Sequence, residues 1–423
     1  MRDGQANLQA AKRSDKRGLI LARAVRLFNE QGYFDTRLED VAAALDTAKT
    51  SISYHFQSKE ALLAAAYEAS CDAADAELEL AAQAPDGLAR IRSWIRNFAH
   101  HAADEARQGR PVAMLRDPAG LGGEGEQALH ARLNRQAAML QRFVDEGIAD
   151  GSLSPASGDA AVQFILSLHY WLGRWLARVP LDGQDQAIDA FLDLLTHGLA
   201  TSRDRQFRSP VLRDGIDAES LLFDREARNR MKLDAFVRVG TRHLNRRGYR
   251  ALSVNDIAND LGVTRGTFYY HFEDKAALLE ACVERSLDRV EEAVAMGRAA
   301  PDGLAGLFDA LSRLFDGHVN DVDPLLRVSL YPALAQRIRP LAHARLRRAT
   351  AGFGELVAQG MADGSVRPVE LEAVETMIFG VLTGATLNWS PDAGLRRPGS
   401  SAGGHPHAAD YFAPLLFGIG SRS

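Results

Sequence analysis

Between Arg265 and Lys275 nearly every polar side chain suits an anionic, hydrogen-bonding partner: Arg265, Thr267, Tyr269, Tyr270, His271 and Lys275, with Gly266 leaving room for close approach. An arginine can meet the two acceptors on a guanine edge with two hydrogen bonds, so Arg265 is the candidate for reading a base. Thr267, Tyr269, Tyr270, His271 and Lys275 offer the hydroxyl, imidazole and ammonium donors that grip phosphate oxygens and fix register. For the aromatic rings, packing is the other reading. The partner these residues imply is double-stranded DNA.

Two short helices would have to position that run. Ser253 and Asp256, three apart, form an N-terminal capping pair. Ile257 and Leu261 lie four apart and share one buried face, and Ala258 is small enough to admit a second helix. Gly262 stops the first helix in a left-handed conformation that costs glycine little, and Val263 fills the space beneath the turn. Thr264 is placed to cap the next helix, which buries Phe268 and turns Arg265, Thr267, Tyr269 and Tyr270 outward. These are the mechanics of a helix-turn-helix.

The residues Asp256-Ile257-Ala258, Leu261-Gly262-Val263, Gly266-Thr267-Phe268-Tyr269 and His271-Phe272, followed by Lys275 and Leu278-Leu279, resemble the tetracycline-repressor (TetR) family of bacterial transcription regulators. The resemblance implies a small DNA-binding head followed by a larger regulatory bundle of helices. It also implies pairing through the last two helices of that bundle, and a pocket whose small ligand releases the protein from its operator.

The chain contains this plan twice. An offset of 216 residues takes Gly32 to Gly248, Asp40 to Asp256, Leu45 to Leu261, Tyr54-His55-Phe56 to Tyr270-His271-Phe272 and Lys59 to Lys275. It also takes Pro85-Asp86-Gly87-Leu88 to Pro301-Asp302-Gly303-Leu304 without a gap. Farther on, Gly147 to Ser152 returns as Gly360 to Ser365 with an offset of 213, and Phe191 with Leu194-Leu195 returns as Phe412 with Leu415-Leu416. So long a period indicates duplication and fusion rather than a solenoid. Helical periodicity runs throughout, and neither alternating apolar runs nor hairpin turns occur. The expected fold is all-α: two units, each a helix-turn-helix head plus a helical bundle.

The organisation then reads as a flexible basic arm (1–15), a first head (16–63), a first bundle (64–200), a linker (201–224), a second head (225–279) and a second bundle (280–423). A short helix at Ala218 to Phe223 is an option within the linker. The stretch from Ser390 to His407, rich in Gly, Ser and Pro, is read as a loop. The pairing surfaces would be Val162 to Trp175 with Ala187 to Leu195, against Glu372 to Leu387 with Tyr411 to Leu416. An intramolecular pseudo-dimer follows, with a whole-chain homodimer carrying four heads as the alternative.

The first head departs from the pattern. Asp46 stands in place of the turn glycine, Thr47 in place of Val263, and Ser53 in place of Tyr269, a tyrosine that in the family commonly touches phosphate. Lys49, Thr50, Ser51, Tyr54, His55 and Lys59 survive as DNA-contact candidates. The second head is therefore expected to bind more strongly. A degenerate first head opens a competing reading, in which the fold has become an interaction scaffold.

Charge distribution agrees with a DNA partner even though the 423 residues sum to a net charge of −5. The segment from Arg225 to Lys275 has 11 Lys and Arg against 6 Asp and Glu, and Lys12 to Lys59 has 9 against 6. Positive charge is thus concentrated where phosphate would lie. No apolar run approaches the roughly 20 residues of a membrane span, and the amino terminus lacks an apolar signal core, so a soluble cytoplasmic protein is expected.

For a small apolar or aromatic effector the first bundle offers Trp94, Phe98, Met114, Phe143, Phe164, His169, Tyr170 and Trp171. The second offers Phe308, Phe315, Tyr331, Phe353, Phe379 and Trp389, with core packing as the alternative for all of them. His100 with Asp104 and His101 with Glu105 have i, i+4 spacing that could hold a metal, or could form a solvated helix face. Cys71 and Cys282 read as small buried apolar residues. The sequence has no GxSxG, P-loop, HExxH or dinucleotide fingerprint, so neither an enzyme nor a cofactor is expected.

Overall fold

A computed structural model describes residues 2–110, 112–113, 118–155, 158–210, 225–388 and 407–421. Among them the α-helices fall into two runs of eight. The first run is α1 (Arg2–Gln31), α2 (Leu38–Ala43), α3 (Lys49–His55), α4 (Lys59–Ala81), α5 (Gly87–Arg107), α6 (Gly123–Asp150), α7 (Gly158–Leu176) and α8 (Gln184–His197). The second is α9 (Arg225–Arg247), α10 (Val254–Asp260), α11 (Arg265–His271), α12 (Lys275–Gly297), α13 (Gly303–Val319), α14 (Arg339–Asp363), α15 (Leu371–Asn388) and α16 (Ala408–Phe417). The described residues contain no strand, and no helix among them is long and apolar enough to cross a membrane.

The backbone corrects the expected basic arm at 1–15, because α1 runs unbroken from Arg2. Ala, Gln, Lys and Arg dominate that stretch, and no proline interrupts it, so the helix has no reason to stop. The possible helix at 218–223 and nearly all of the loop from Ser390 lie outside the described residues.

Each head has its own core. In the first, Ile20, Val25 and Phe28 of α1 close over Val41, Ile52, Phe56, Leu62 and Leu63. In the second, Phe236 and Leu244 of α9 close over Ile257, Phe268, Phe272, Leu278 and Leu279. Helices α4 and α12 then leave the heads and become the first helices of the bundles, capped by Ser58 and Asp274, whose side chains accept from the amides of Ala61 and Ala277.

The repeated Pro-Asp-Gly-Leu and Gly-x-Ala-Asp-Gly-Ser segments meet each other. Asp86 caps α5, while the amides of Gly87 and Leu88 donate to Asp150 and Ser152 at the end of α6. Asp302, Asp363 and Ser365 repeat every one of these bonds on Gly303, Leu304 and Ala305. A Cβ on Gly87 would run into the backbone of Gly147, and one on Gly303 into Gly360. The segments persist because a helix start is stapled to a helix end at backbone contact.

The molecule divides into two compact units that do not follow the copy boundary. The first contains the described part of 1–152 with 169–188; the second contains 153–168 together with 189–393 and the carboxy-terminal residues. Residues 153–168 and 189–200 of the first bundle expected at 64–200 pack with the second copy. Part of the expected linker is also packed. Thr201 Oγ1 donates to the carbonyl of Gly364 at 2.8 Å, Arg205 pairs with Asp302, and the Phe207 ring lies 4.8 Å from that of Phe308.

Within the second unit, the ends of the two copies exchange equivalent bonds. The amides of Leu199 and Ala200 donate to the carbonyls of Leu415 and Leu416, and those of Ile419 and Gly420 donate to Leu195 and Thr196. Ser154 donates to Ile419, and its counterpart Arg367 donates to Leu199. Leu153 bridges Gly420 as Val366 bridges Ala200. Gly198 (φ +71°) and Gly418 (φ +72°) touch backbone to backbone, where a Cβ on either would collide with the other segment. Tyr411 is fully buried, and its hydroxyl meets Ser167 Oγ at 2.8 Å.

Candidate nucleic-acid interface

In the second head the local sequence behaves as its chemistry requires. Ser253 Oγ accepts from the amide of Asp256 at 3.2 Å, and Gly262 holds φ +63° with open space around its Cα. Ile257 and Phe268 are fully buried, and Val263 packs against the core beneath the turn. One detail differs from expectation: Thr264 sits at the N-cap of α11, but its hydroxyl meets Thr267 Oγ1 at 3.1 Å instead of a backbone amide.

The outward face of α11 is preorganised. Arg265 Nη2 donates to Tyr269 Oη at 3.0 Å, and its guanidinium carbon lies 5.3 Å from the Tyr269 ring centroid. Tyr269 therefore props up the arginine. Arg265 and Gly266 are exposed, Thr267 is half-buried, and Tyr270 is 72% exposed. His271 is half-buried against the Phe236 ring, and this desolvation, helped by nearby Lys232, lowers its pKa. Lys275, at the start of α12, has no hydrogen-bond or ion-pair partner among the described residues.

The first head has the same skeleton with different polar wiring. Asp46 takes the left-handed turn at φ +49°, as its place opposite Gly262 requires. Arg37 occupies the N-cap where the second head has Ser253, so Asp40 reaches back and accepts from the Arg37 amide at 2.7 Å. Arg23 closes the far end of α2 on the carbonyl of Ala44, with contacts of 2.7 and 3.0 Å.

Two DNA-contact candidates of the first head are engaged elsewhere. Lys59 turns inward: its ammonium donates to the carbonyls of Tyr33 and Thr36 at 2.9 and 3.0 Å and lies 3.9 Å from the Tyr33 ring centroid. The sequence reading placed it on phosphate; here it ties α4 to the turn before α2. Lys49, the counterpart of Arg265, forms an ion pair with Glu39 at 2.8 Å. That bond lowers the pKa of Glu39, which stays an anion on the exposed surface beside α3. Thr50 is exposed, Ser51 half-buried, Tyr54 65% exposed, and the His55 ring sits 5.2 Å from that of Tyr54. Sequence reasoning passed over Glu39, Arg37 and Arg23, although the 216-residue offset already sets Glu39 opposite Asn255.

The candidate effector residues are mostly core. Trp94 and Phe98 stack at 6.2 Å, Phe315 stacks on Tyr411 at 4.5 Å, and Phe164 meets Tyr411 edge-on. Phe143 and Phe353 are fully buried, Phe308 packs on Phe207, and Phe379 is half-buried. Tyr331 belongs to the core of the second head, which burial explains: that core extends into the start of α14 through Ala342. Met114 and Trp389 lie outside the described residues, as do the side chains of His169 and Tyr170. A cleft of about 420 Å³ is lined by Ala190, Asp193, Leu194, Pro368, Val369, Glu370 and Ala373, none of them among the aromatic candidates.

His100 faces Asp185 at 3.3 Å instead of pairing with Asp104, and Asp104 and Glu105 are held by Arg107 and Arg110. Both cysteines are buried thiols; burial pushes Cys71 up to about 11 and Cys282 up to about 12.

Two stretches, 20–66 and 237–282, match the description "Bacterial regulatory proteins, tetR family", and 84–199 matches "Tetracyclin repressor-like, C-terminal domain". The chain is 26% identical over 183 residues to the HTH-type transcriptional repressor KstR2 of Mycolicibacterium smegmatis, a match covering 41% of this chain and 83% of that protein. It is 30% identical over 136 residues to the HTH-type transcriptional regulator RutR of Escherichia coli K12, covering 32% of this chain and 64% of RutR. Among solved structures, the TetR family regulator PfmR of Thermus thermophilus is 26% identical with a TM-score of 0.36, covering 41% of this chain and 95% of PfmR. The chain belongs to the tetR family of bacterial regulatory proteins, as a DNA-binding transcription regulator that carries the family's head twice.

Proposed function

We propose that this regulator is a repressor that pairs with itself within one chain and reads an asymmetric operator with two unequal heads. The observation that carries the reading is the reciprocal set of backbone bonds linking 153–154 and 195–200 with 366–367 and 415–420. In such an exchange each segment meets the counterpart of its own partner, which is the signature of an isologous, two-fold interface. On this reading the last helices of the two copies pair with each other in place of a second chain.

The second head supplies most of the base discrimination, through Arg265 supported by Tyr269, with Tyr270, His271, Thr267 and Lys275 on phosphate. The first head adds weaker contacts through Thr50, Ser51, Tyr54 and His55. Release by a small apolar effector is the finer part of the reading and rests on family membership; the buried aromatic rings would have to part to admit such a ligand.

Footprinting on DNA fragments that the protein itself selects tests this function. Two protected half-sites of different sequence are expected, with Arg265→Ala erasing sequence preference over one of them. The scaffold reading predicts no specific protection and a response that hardly changes with salt.

A further inference from the structure

We propose that two pairs at the head–bundle joints, Asn29 with Ser70 and Asn245 with Ser286, are positioning residues that let each bundle set the attitude of its own head on DNA. This rests on the two-headed reading above.

Asn29 and Asn245 lie in the last turns of α1 and α9, the first helices of the heads. Asn29 Nδ2 donates to the carbonyl of Val112 at 2.8 Å, and Asn245 Nδ2 donates to the carbonyl of Leu325 at 2.8 Å. From the other side, Ser70 Oγ accepts from the amide of Ala113 at 2.8 Å, and Ser286 Oγ accepts from the amide of Leu326 at 2.9 Å. The pinned residues follow α5 and α13, so each segment belongs to a bundle and is clasped by the first helix of a head and the helix leaving that head.

The same joint inserts side chains into the head cores. Ala113 and Leu129 belong to the core of the first head, and their counterparts Leu326 and Ala342 to that of the second. Asn29, Asn245 and Ser286 are themselves less than a tenth exposed. Buried amides and carbonyls in such a segment must find partners, and here side chains supply them. Because the bonds go to backbone atoms, the segment's own residues could drift from Val-Ala to Leu-Leu while the geometry stayed. The recognition residues changed between copies; the joint did not.

In the second copy Asn245 is tied to the segment a second time, and charged pairs lie beside it. Asn245 Oδ1 accepts from the amide of Arg327 at 2.9 Å, Arg242 pairs with Asp321 at 2.7 Å, and Arg285 bridges Asp234 and Asp323.

Positioning matters only when both heads must fit one duplex, which gives the test. Binding of the full chain is compared on a self-selected operator and on duplexes with one half-site. Ser286→Ala removes the acceptor for Leu326, and Asn245→Asp removes the donor to Leu325 while keeping the acceptor for Arg327. Each variant is expected to bind the second half-site alone as the parent does, yet to lose about tenfold or more on the full operator, as the effective concentration of the second contact falls. The variants should also tolerate altered half-site spacing. Unchanged affinity on the full operator would overturn the proposal, and an equal loss on both duplexes would reduce the pairs to plain structural support. A parent chain that gains nothing from the second half-site would sink the two-headed reading itself.

Discussion

The two heads share a skeleton and differ in what their cations do. In the second, Arg265 rests on Tyr269 with its guanidinium exposed, and Lys275 has no partner among the described residues. In the first, Lys49 is held by Glu39 and the Lys59 ammonium is bonded to two carbonyls. A duplicate released from reading one half-site can spend its charges on its own stability, provided the joint to its bundle is kept. Net charge hides this difference, because a lysine that feeds two carbonyls counts the same as one that meets phosphate.

The largest expected effect comes from Arg265→Ala. It should cost about 1–3 kcal/mol on the preferred base and little on its alternatives, measured as binding to operators varied at one position. Lys49→Ala should shift affinity far less, and an equal loss on every sequence would remove the base-reading role from Arg265.

Next come the paired lysines. Lys59→Ala should lower unfolding free energy by about 1–2 kcal/mol with little change in DNA affinity, since it strands two carbonyls. Lys275→Ala should do the reverse, weakening all sequences alike and flattening the salt dependence by roughly one phosphate contact. Denaturant melts beside salt titrations separate the two.

The turns come third, with opposite signs. Asp46→Gly should stabilise the first head by about 1 kcal/mol, because the left-handed conformation strains an L side chain. Gly262→Ala should destabilise the second by a similar amount. The smallest effect is expected from Glu39→Asn, which copies Asn255 into the first head. It removes an exposed anion and frees Lys49, so affinity should rise and its salt dependence steepen; no gain would mean that Lys49 already reaches DNA despite the pair.

Much of this was readable in the sequence. Gly262, the Ser253 cap and buried Phe268 follow from the sterics and hydrogen bonding of single residues, and the internal repeat exposed both heads. The fate of Lys59 was not readable, because its partners are backbone carbonyls that look alike in any sequence. The same holds for Asn29 and Asn245, whose partners are backbone carbonyls 83 and 80 residues away. The effector candidates could not be sorted by sequence for another reason: an aromatic side chain that fills a core and one that lines a cavity have the same helical spacing. Residues 153–168 and 189–200 joined the second unit because their partners are in the other copy, and local pattern does not record that.

The most direct test of the central claim is the number of chains on one operator. The mass of the complex formed on a self-selected duplex should correspond to a single 46.1 kDa chain, with both half-sites occupied. Two chains on that duplex, each contributing the same head to equivalent halves, would contradict it.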